Sequence, residues 1–299
     1  MNGTCALCSR DSELTLSHII PKFVFNWFKE SVPSPIRSTQ LPNKRIQDGP
    51  KQHLLCQDCE QLFSGWEKNF SDRLFLPLHS NPTTPLRYGR WALKFAVSVS
   101  WRVLSYYHHL HDLSHFSDKQ RELAQNALDV WRRFLLGKLP NPAHFEQHLL
   151  PVEVIQSHSG LAISPFLNRY LLRSVHMDVI CSDTCALVYS KMGHLMLFGF
   201  IQEDSKRWKG TKLHVNNGSV MPRRYCLPRN IADYWNDKAN EATKALASTS
   251  PRQKQKIKQA IRQNADELAN SELFRAIQYD VLHSGKNAFR YPLPEEAEE

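Results

Sequence analysis

The sequence predicts an α+β protein. A small metal-stapled N-terminal module precedes a mainly helical body that carries a small antiparallel sheet. Three observations predict it. Two Cys-x-x-Cys pairs, Cys5/Cys8 and Cys56/Cys59, bracket the start of the chain. Apolar residues recur at helical spacing across 87–175 and again across 229–283. Between these stretches, across 176–228, short apolar runs alternate with Gly, Asn and Pro, the pattern of strands and turns. The expected division is a module over 1–80 and a body over 81–299.

Taken in order, Pro21 suits a first helical turn, so a helix is expected to follow it, with Phe23 and Trp27 on one face. Residues 31–47 are rich in Pro and Ser and read as loop. His53-Leu54-Leu55 reads as a short strand, and Glu60–Phe70 as a helix with Leu62, Phe63, Trp66 and Phe70 at helical spacing. Arg90–Leu113 is strongly apolar and predicts a buried helix. Ser117 predicts an N-cap for a helix that runs to about Leu136 and stops before Pro140 and Pro142. Phe166–Arg173 reads as one more short helix. Met177–Ile180, Ala186–Tyr189 and Leu195–Gln202 read as strands, with a tight turn over Lys191–His194. Asn216-Asn217-Gly218 is a further turn signal. Helices are expected over Ile231–Ala247, Pro251–Asn270 and Glu272–Leu282.

The bulk properties narrow the function. The chain has 299 residues, 41% of them apolar, a net charge of +9 and a pI near 9.2. No run approaches the ~20 apolar residues of a membrane-spanning helix, and the start of the chain lacks the basic and apolar regions of a signal peptide. Cytoplasmic placement and no membrane partner are expected. The charge is concentrated: Lys206–Arg262 holds fourteen Lys/Arg and three acids, whereas residues 1–70 hold eight and seven. Such a local excess is the footprint of a polyanion partner. Lys206, Arg207, Lys209, Arg223, Arg224, Lys254, Lys256 and Lys258 are the expected nucleic-acid contacts. A solvated basic surface is the plain alternative.

In a reducing compartment, paired Cys-x-x-Cys motifs read as metal ligands. Four thiolates suit tetrahedral zinc. A redox role would need one motif only. Cys181, Cys185 and Cys226 are left over and read as free thiols. The chain between the two pairs carries Ser17-His18-Ile19-Ile20-Pro21. A neutral imidazole there titrates near physiological pH, as a general base requires.

The order Cys5-x-x-Cys8, His18-Ile19-Ile20-Pro21, Leu54-Leu55-Cys56-Gln57-Asp58-Cys59-Glu60 resembles the HNH, or ββα-metal, endonuclease superfamily. The pattern is nearest to its zinc-stapled, endonuclease VII-like branch, and the resemblance covers about residues 1–72. It implies a ββα-metal module in which Cys5, Cys8, Cys56 and Cys59 hold structural zinc. It implies that His18 is the general base and that Glu60, on the helix, binds a catalytic Mg²⁺ or Mn²⁺. The implied activity is phosphodiester hydrolysis in nucleic acid, with DNA the expected partner. By analogy alone, such nucleases work in bacterial anti-phage defence, sometimes with a partner protein.

One position departs from the pattern. The superfamily carries Asp or Glu just before the catalytic His, and this chain has Ser17. Asp48, within Asp48-Gly49-Pro50-Lys51, is the first replacement ligand to consider, and Lys51 a contact to phosphate. Glu67 is a second, about 10 Å beyond Glu60 along a helix, and His53 a third. A degenerate, non-catalytic zinc module that binds nucleic acid or protein stays open as the alternative.

Overall fold

The computed structural model describes residues 1–31, 37–81, 85–110, 113–157, 163–203, 208–220 and 225–290. It is mixed α+β with small antiparallel sheets. The chain divides into two units built from interleaved segments. The first comprises Met1–Lys22, Gly49–Pro151 and Val175–Leu227; the second comprises Phe23–Asp48, Val152–Ser174 and Pro228–Glu299.

The first unit opens with a three-stranded sheet in the order β1 (Asn2–Thr4), β2 (Asp11–His18), β3 (Lys51–Cys56), all antiparallel. β3 runs directly into helix α2 (Gln57–Phe70). A π-helical turn, Ser71–Phe75, and a short helix, Leu76–Ser80, extend it. Helix α2 packs on the long helix Arg90–Leu110. Phe70 stacks on Phe95 at 3.8 Å, and Phe63 meets Trp101 edge-on at 6.2 Å.

That long helix also covers a four-stranded antiparallel sheet. Its strands are Gln147–Pro151, Val175–Cys181, Ala186–Met192 and Leu195–Gln202, ordered first, fourth, third, second across the sheet. Every residue of Ala186–Met192 is buried, as are all but the last of Leu195–Gln202. The expected tight turn joins these two strands, with Gly193 at φ 60°. The helix Asp118–Leu135 closes the layer. Ser117 caps it: its hydroxyl accepts from the Gln120 amide while the Gln120 side chain accepts from the Ser117 amide.

Two buried lysines interrupt this apolar interior. Lys94 donates to the carbonyl of Phe134, at the C-terminal end of Asp118–Leu135, and lies 3.9 Å from the centroid of the Phe134 ring. Burial, and then the nearby Arg90 charge, brings its pKa down to about 8. Lys191 is fully buried and donates to the Gly193 carbonyl.

The turn expected at Asn216-Asn217-Gly218 is instead the start of a strand. Asn217–Val220 pairs antiparallel with Leu86–Gly89. The glycine is needed for a close approach: a Cβ on Gly218 would lie 2.2 Å from the Tyr88 hydroxyl oxygen. Tyr88 fills the space that a side chain would take.

The second unit is helical. The helix expected after Pro21, α1 (Lys22–Ser31), belongs to it from Phe23 on. So do Leu167–Arg173, Arg229–Ala247, Pro251–Gln263, Ala265–Ala269 and Glu272–Ser284. Asp280 is 1% exposed and holds Arg169 at 2.7 Å, while also accepting from the Asn168 amide. Arg173 lies over Phe28 and donates to Ser31 Oγ. The helix expected over Pro251–Asn270 breaks at Asn264, whose side chain donates to the Ala260 carbonyl at 2.8 Å. A short amide competing for a helical carbonyl in this way disfavours continuation. Among the described residues, no helix is long and apolar enough to cross a membrane.

Candidate metal centre and neighbouring strand end

The four N-terminal cysteines converge. The Sγ atoms of Cys5, Cys8, Cys56 and Cys59 all lie within 4.8 Å of one another. Cys8 and Cys56 are 3.7 Å apart at sulfur. A tetrahedral zinc site with Zn–S bonds of about 2.3 Å has sulfur–sulfur edges of about 3.8 Å. The donor set and its spacing therefore fit a metal such as zinc. Among the described residues, no other group of three or more His, Cys, Asp or Glu ligands gathers in this way.

Local structure explains the convergence. Cys5 and Cys8 sit on the tight loop between β1 and β2. That loop is closed by bonds from the Cys5 amide to the Arg10 carbonyl and from the Ser9 amide to the Cys5 carbonyl, with Ser9 at φ 63°. The Ala6 amide donates to the Leu54 carbonyl, which ties the loop to β3. Cys56 is the N-cap of α2 and Cys59 lies in its first turn. The partial positive charge at a helix N-terminus favours thiolates there.

The sulfurs differ in how readily they ionise. Burial pushes the Cys5 thiol up, against backbone amides of Cys8, Cys56 and Leu7 that pull it down. Burial likewise raises Cys59. Cys8 goes the other way. Its slight burial opposes ionisation, but the side chain and backbone of Arg10 bring it down to about 6. Arg10 Nε donates to Cys8 Sγ at 3.4 Å, Nη2 reaches Cys56 Sγ at 3.9 Å, and Nη2 pairs with Asp58 at 2.7 Å. Four thiolates around a divalent ion carry net negative charge, and Arg10 offsets part of it. Sequence reasoning passed over Arg10. The signal available was its place two residues after the second cysteine of the loop.

Beside the cluster, the strand register sets the remaining residues. Ser17 stands opposite Gln52 and His18 opposite Lys51, at the end of β2. A bulge between Thr15 and Leu16 shifts the pairing just before them. Ser17 is fully buried, and its hydroxyl donates to Glu60 Oε2 at 2.8 Å. The helix carboxylate thus reaches the position where a strand acid was expected. His18 is the next residue, its Cα about 3.8 Å from that of Ser17. The residue is half-buried, its ring Nε2 is shielded from solvent, and its carbonyl accepts from Arg102 Nη1 at 2.9 Å.

Arg102 is the second residue that sequence reasoning missed. It is 1% exposed, pairs with Glu67 at 2.7 Å and lies 5.3 Å from the Phe63 ring centroid. One guanidinium therefore joins the long helix Arg90–Leu110, α2 and the end of β2. A lone Arg in the middle of an apolar helix was the available signal, since such a charge is buried only when paired. Glu67, offered above as a replacement ligand, is thereby engaged with Arg102. His53 is exposed, with its Nδ1 3.0 Å from the Leu14 carbonyl. Lys51 is exposed at the start of β3, and Asp48 closes a segment of the second unit.

The expected polyanion contacts fall in three groups. Lys206, Arg207, Arg223 and Arg224 lie outside the described residues. Lys209, in the first unit, is exposed. Lys254, Lys256 and Lys258 are exposed on Pro251–Gln263. Of the leftover thiols, Cys181 donates to the His115 carbonyl at 3.3 Å, and burial raises both Cys181 and Cys185.

No family model matches the sequence, and no curated protein or solved structure matches the chain.

Proposed function

We propose that this protein is a metal-dependent endonuclease of HNH type that hydrolyses phosphodiester bonds in nucleic acid, with DNA as its substrate. The observation that carries the proposal is the 2.8 Å bond between Ser17 and Glu60. It sets a first-turn helix carboxylate against the strand residue that precedes His18, one position after the last cysteine of the four-cysteine cluster. Two antiparallel strands, β2 and β3, followed by a helix, α2, agree with a ββα-metal module.

In this reading Cys5, Cys8, Cys56 and Cys59 hold structural zinc, which keeps the strand end and the helix start in register. His18 takes a proton from a water as its oxygen attacks phosphorus. The bond from phosphorus to the leaving oxygen breaks, and that oxygen takes a proton from solvent. Lys51, opposite His18, contacts the phosphate. Glu60 would offer a carboxylate oxygen to the catalytic cation. Mg²⁺ or Mn²⁺, when bound, supplies positive charge at the scissile phosphate and leaving oxygen. Ser17 orients Glu60 through its hydroxyl, so the acid missing from the strand is supplied from the helix.

A second reading, a non-catalytic zinc module, draws on the same contact. Ser17 occupies one oxygen of Glu60. Incubation with supercoiled plasmid and Mg²⁺ or Mn²⁺ separates the two. The nuclease reading expects nicking that disappears in His18→Ala while the zinc content stays at about one per chain. Plasmid that stays intact with the wild type, or equal nicking by the variant, sinks it.

A further inference from the structure

We infer that helix Pro251–Gln263, with the segment 37–45 docked at its start, is a docking surface for the phosphate backbone of nucleic acid. This surface rests on the reading of nucleic acid as substrate, but it is a binding element with its own residues and its own test.

The helix carries Arg252, Lys254, Lys256, Lys258 and Arg262, all exposed, and no acid. Its half-buried positions are Gln253, Ile257 and Ala260, spaced four and three apart, which defines one inner face. The cations occupy the rest of the circumference. Lys254, Lys258 and Arg262 recur every four residues, about 6 Å apart along the axis, and form one row. Arg252 and Lys256 form a second. The next acids in the chain, Asp266 and Glu267, come only after the break at Asn264.

A second element adds to the rows. Asn43 Oδ1 accepts from the Ser250 amide at 2.8 Å, and Arg37 Nη2 donates to Gln253 Oε1 at 3.1 Å. These bonds dock the segment 37–45 at the N-terminal end of the helix. Its Lys44 and Arg45 are exposed, and residues 37–45 contain no acid. Arg37 and Arg45 also face each other as bridge partners. Two like charges held side by side repel, and an anion placed against them relieves that repulsion. Seven exposed cations from two elements, with no carboxylate among them, have no partner charge of their own on these segments.

The chemistry favours nucleic acid over an anionic membrane. An interfacial helix needs a broad exposed apolar face. Here Ile257 and Ala260 turn inward, and Ile261 is the one large apolar residue of the helix that is well exposed. Double-stranded DNA offers one negative charge per ~1.7 Å of its axis, a density that two cation rows can follow.

The test measures binding of the full chain to a fluorescent duplex of arbitrary sequence, without added Mg²⁺ or Mn²⁺, across a range of NaCl concentrations. Each neutralised phosphate contributes about 0.9 to the slope of log K against log salt. The triple variant Lys254→Gln, Lys258→Gln, Arg262→Gln changes exposed side chains and gives up the bond from Lys254 Nζ to the Ala247 carbonyl, so its thermal midpoint is expected to drop little, and thermal denaturation checks that it stays folded. Its slope should fall by about 2–3, with an affinity loss of tenfold or more that is equal for unrelated sequences. Lys44→Gln with Arg45→Gln should lower the slope further. An unchanged slope in both variants overturns the surface. So does capture of the chain by phosphatidylserine vesicles that the triple variant abolishes while leaving DNA binding intact. His18→Ala should bind with the wild-type slope. A wild-type chain that binds in this way yet never nicks plasmid supports the surface and overturns the nuclease reading.

Discussion

Two strands of the first unit occupy the same kind of place and are held by opposite means. β2 lies between β1 and β3; Ala186–Met192 lies between Leu195–Gln202 and Val175–Cys181. Both are central and antiparallel. Yet only Ser17 of β2 is buried, whereas every residue of Ala186–Met192 is. The inner strand is stabilised by apolar area removed from water, worth roughly 25 cal/mol per Å². β2 has almost none to offer. Its order comes from the ladder, from four sulfurs that bracket it, and from Arg102 at its end. A sheet with little core needs a staple, and a stapled strand can then spend its end residues on polar contacts.

The comparison breaks most sharply on metal removal. Structural zinc contributes on the order of 10 kcal/mol to the folding of small cysteine sites. A zinc chelator, or Cys56→Ser, should strip about one zinc per chain and unfold β1–β3. Amide exchange in Ala186–Met192 and Leu195–Gln202 should stay protected. Equal protection of β2 with and without chelator would show that the strand holds itself.

The next effect is at Arg102. Replacing it by Ala leaves Glu67 without its buried partner and the His18 carbonyl without its donor. Breaking a buried pair from one side costs about 3–5 kcal/mol. Urea denaturation should show that loss, and Arg102→Lys should restore little of it, since one ammonium cannot span Glu67, His18 and Ser98 as the guanidinium does. A variant of wild-type stability would remove Arg102 from the account of how the strand end is held.

The smallest effect sharpens the apolar side of the contrast. His148 is buried beside Phe200 and Trp208, its Nδ1 2.7 Å from Thr211 Oγ1. Burial, with Lys212 adding and Glu146 opposing, brings its pKa down to about 4. An unfolded His titrates near 6.5. The unfolded chain therefore binds the proton first as pH falls. The neutral ring's contribution is complete above about pH 6.5 and is lost as pH drops toward 4. The loss amounts to about 3 kcal/mol. Denaturation midpoints of the wild type against His148→Asn should converge over that window, and parallel curves would refute the buried neutral ring.

Much of the fold was readable before any coordinates. The apolar run Leu195–Gln202 is the strand it reads as, and Ser117 caps the helix it was assigned to. Local rules sufficed there because the deciding interactions are local. Other features were not readable. The break at Asn264 depends on one side-chain bond competing with a continuing helix. Asn217–Val220 became a strand because Leu86–Gly89, far away in sequence, presents a ladder, and Tyr88 fills the space that only a glycine at 218 leaves open. Lys94, Lys191 and Arg102 look like surface residues by type, and only their partners make them buried ones.

The candidate site divides in the same way. By itself, the spacing of Cys5, Cys8, Cys56 and Cys59 determined that the chain can build a four-sulfur metal cluster, because two-residue gaps bring thiols together through tight turns and helix starts. The sequence also determined that no acid precedes His18. What tertiary structure alone decided is that Glu60 meets Ser17, that Arg10 lies against the sulfurs, and that Arg102 grips the carbonyl of His18. These are contacts between segments that strand register and helix packing bring together, and no local pattern encodes them.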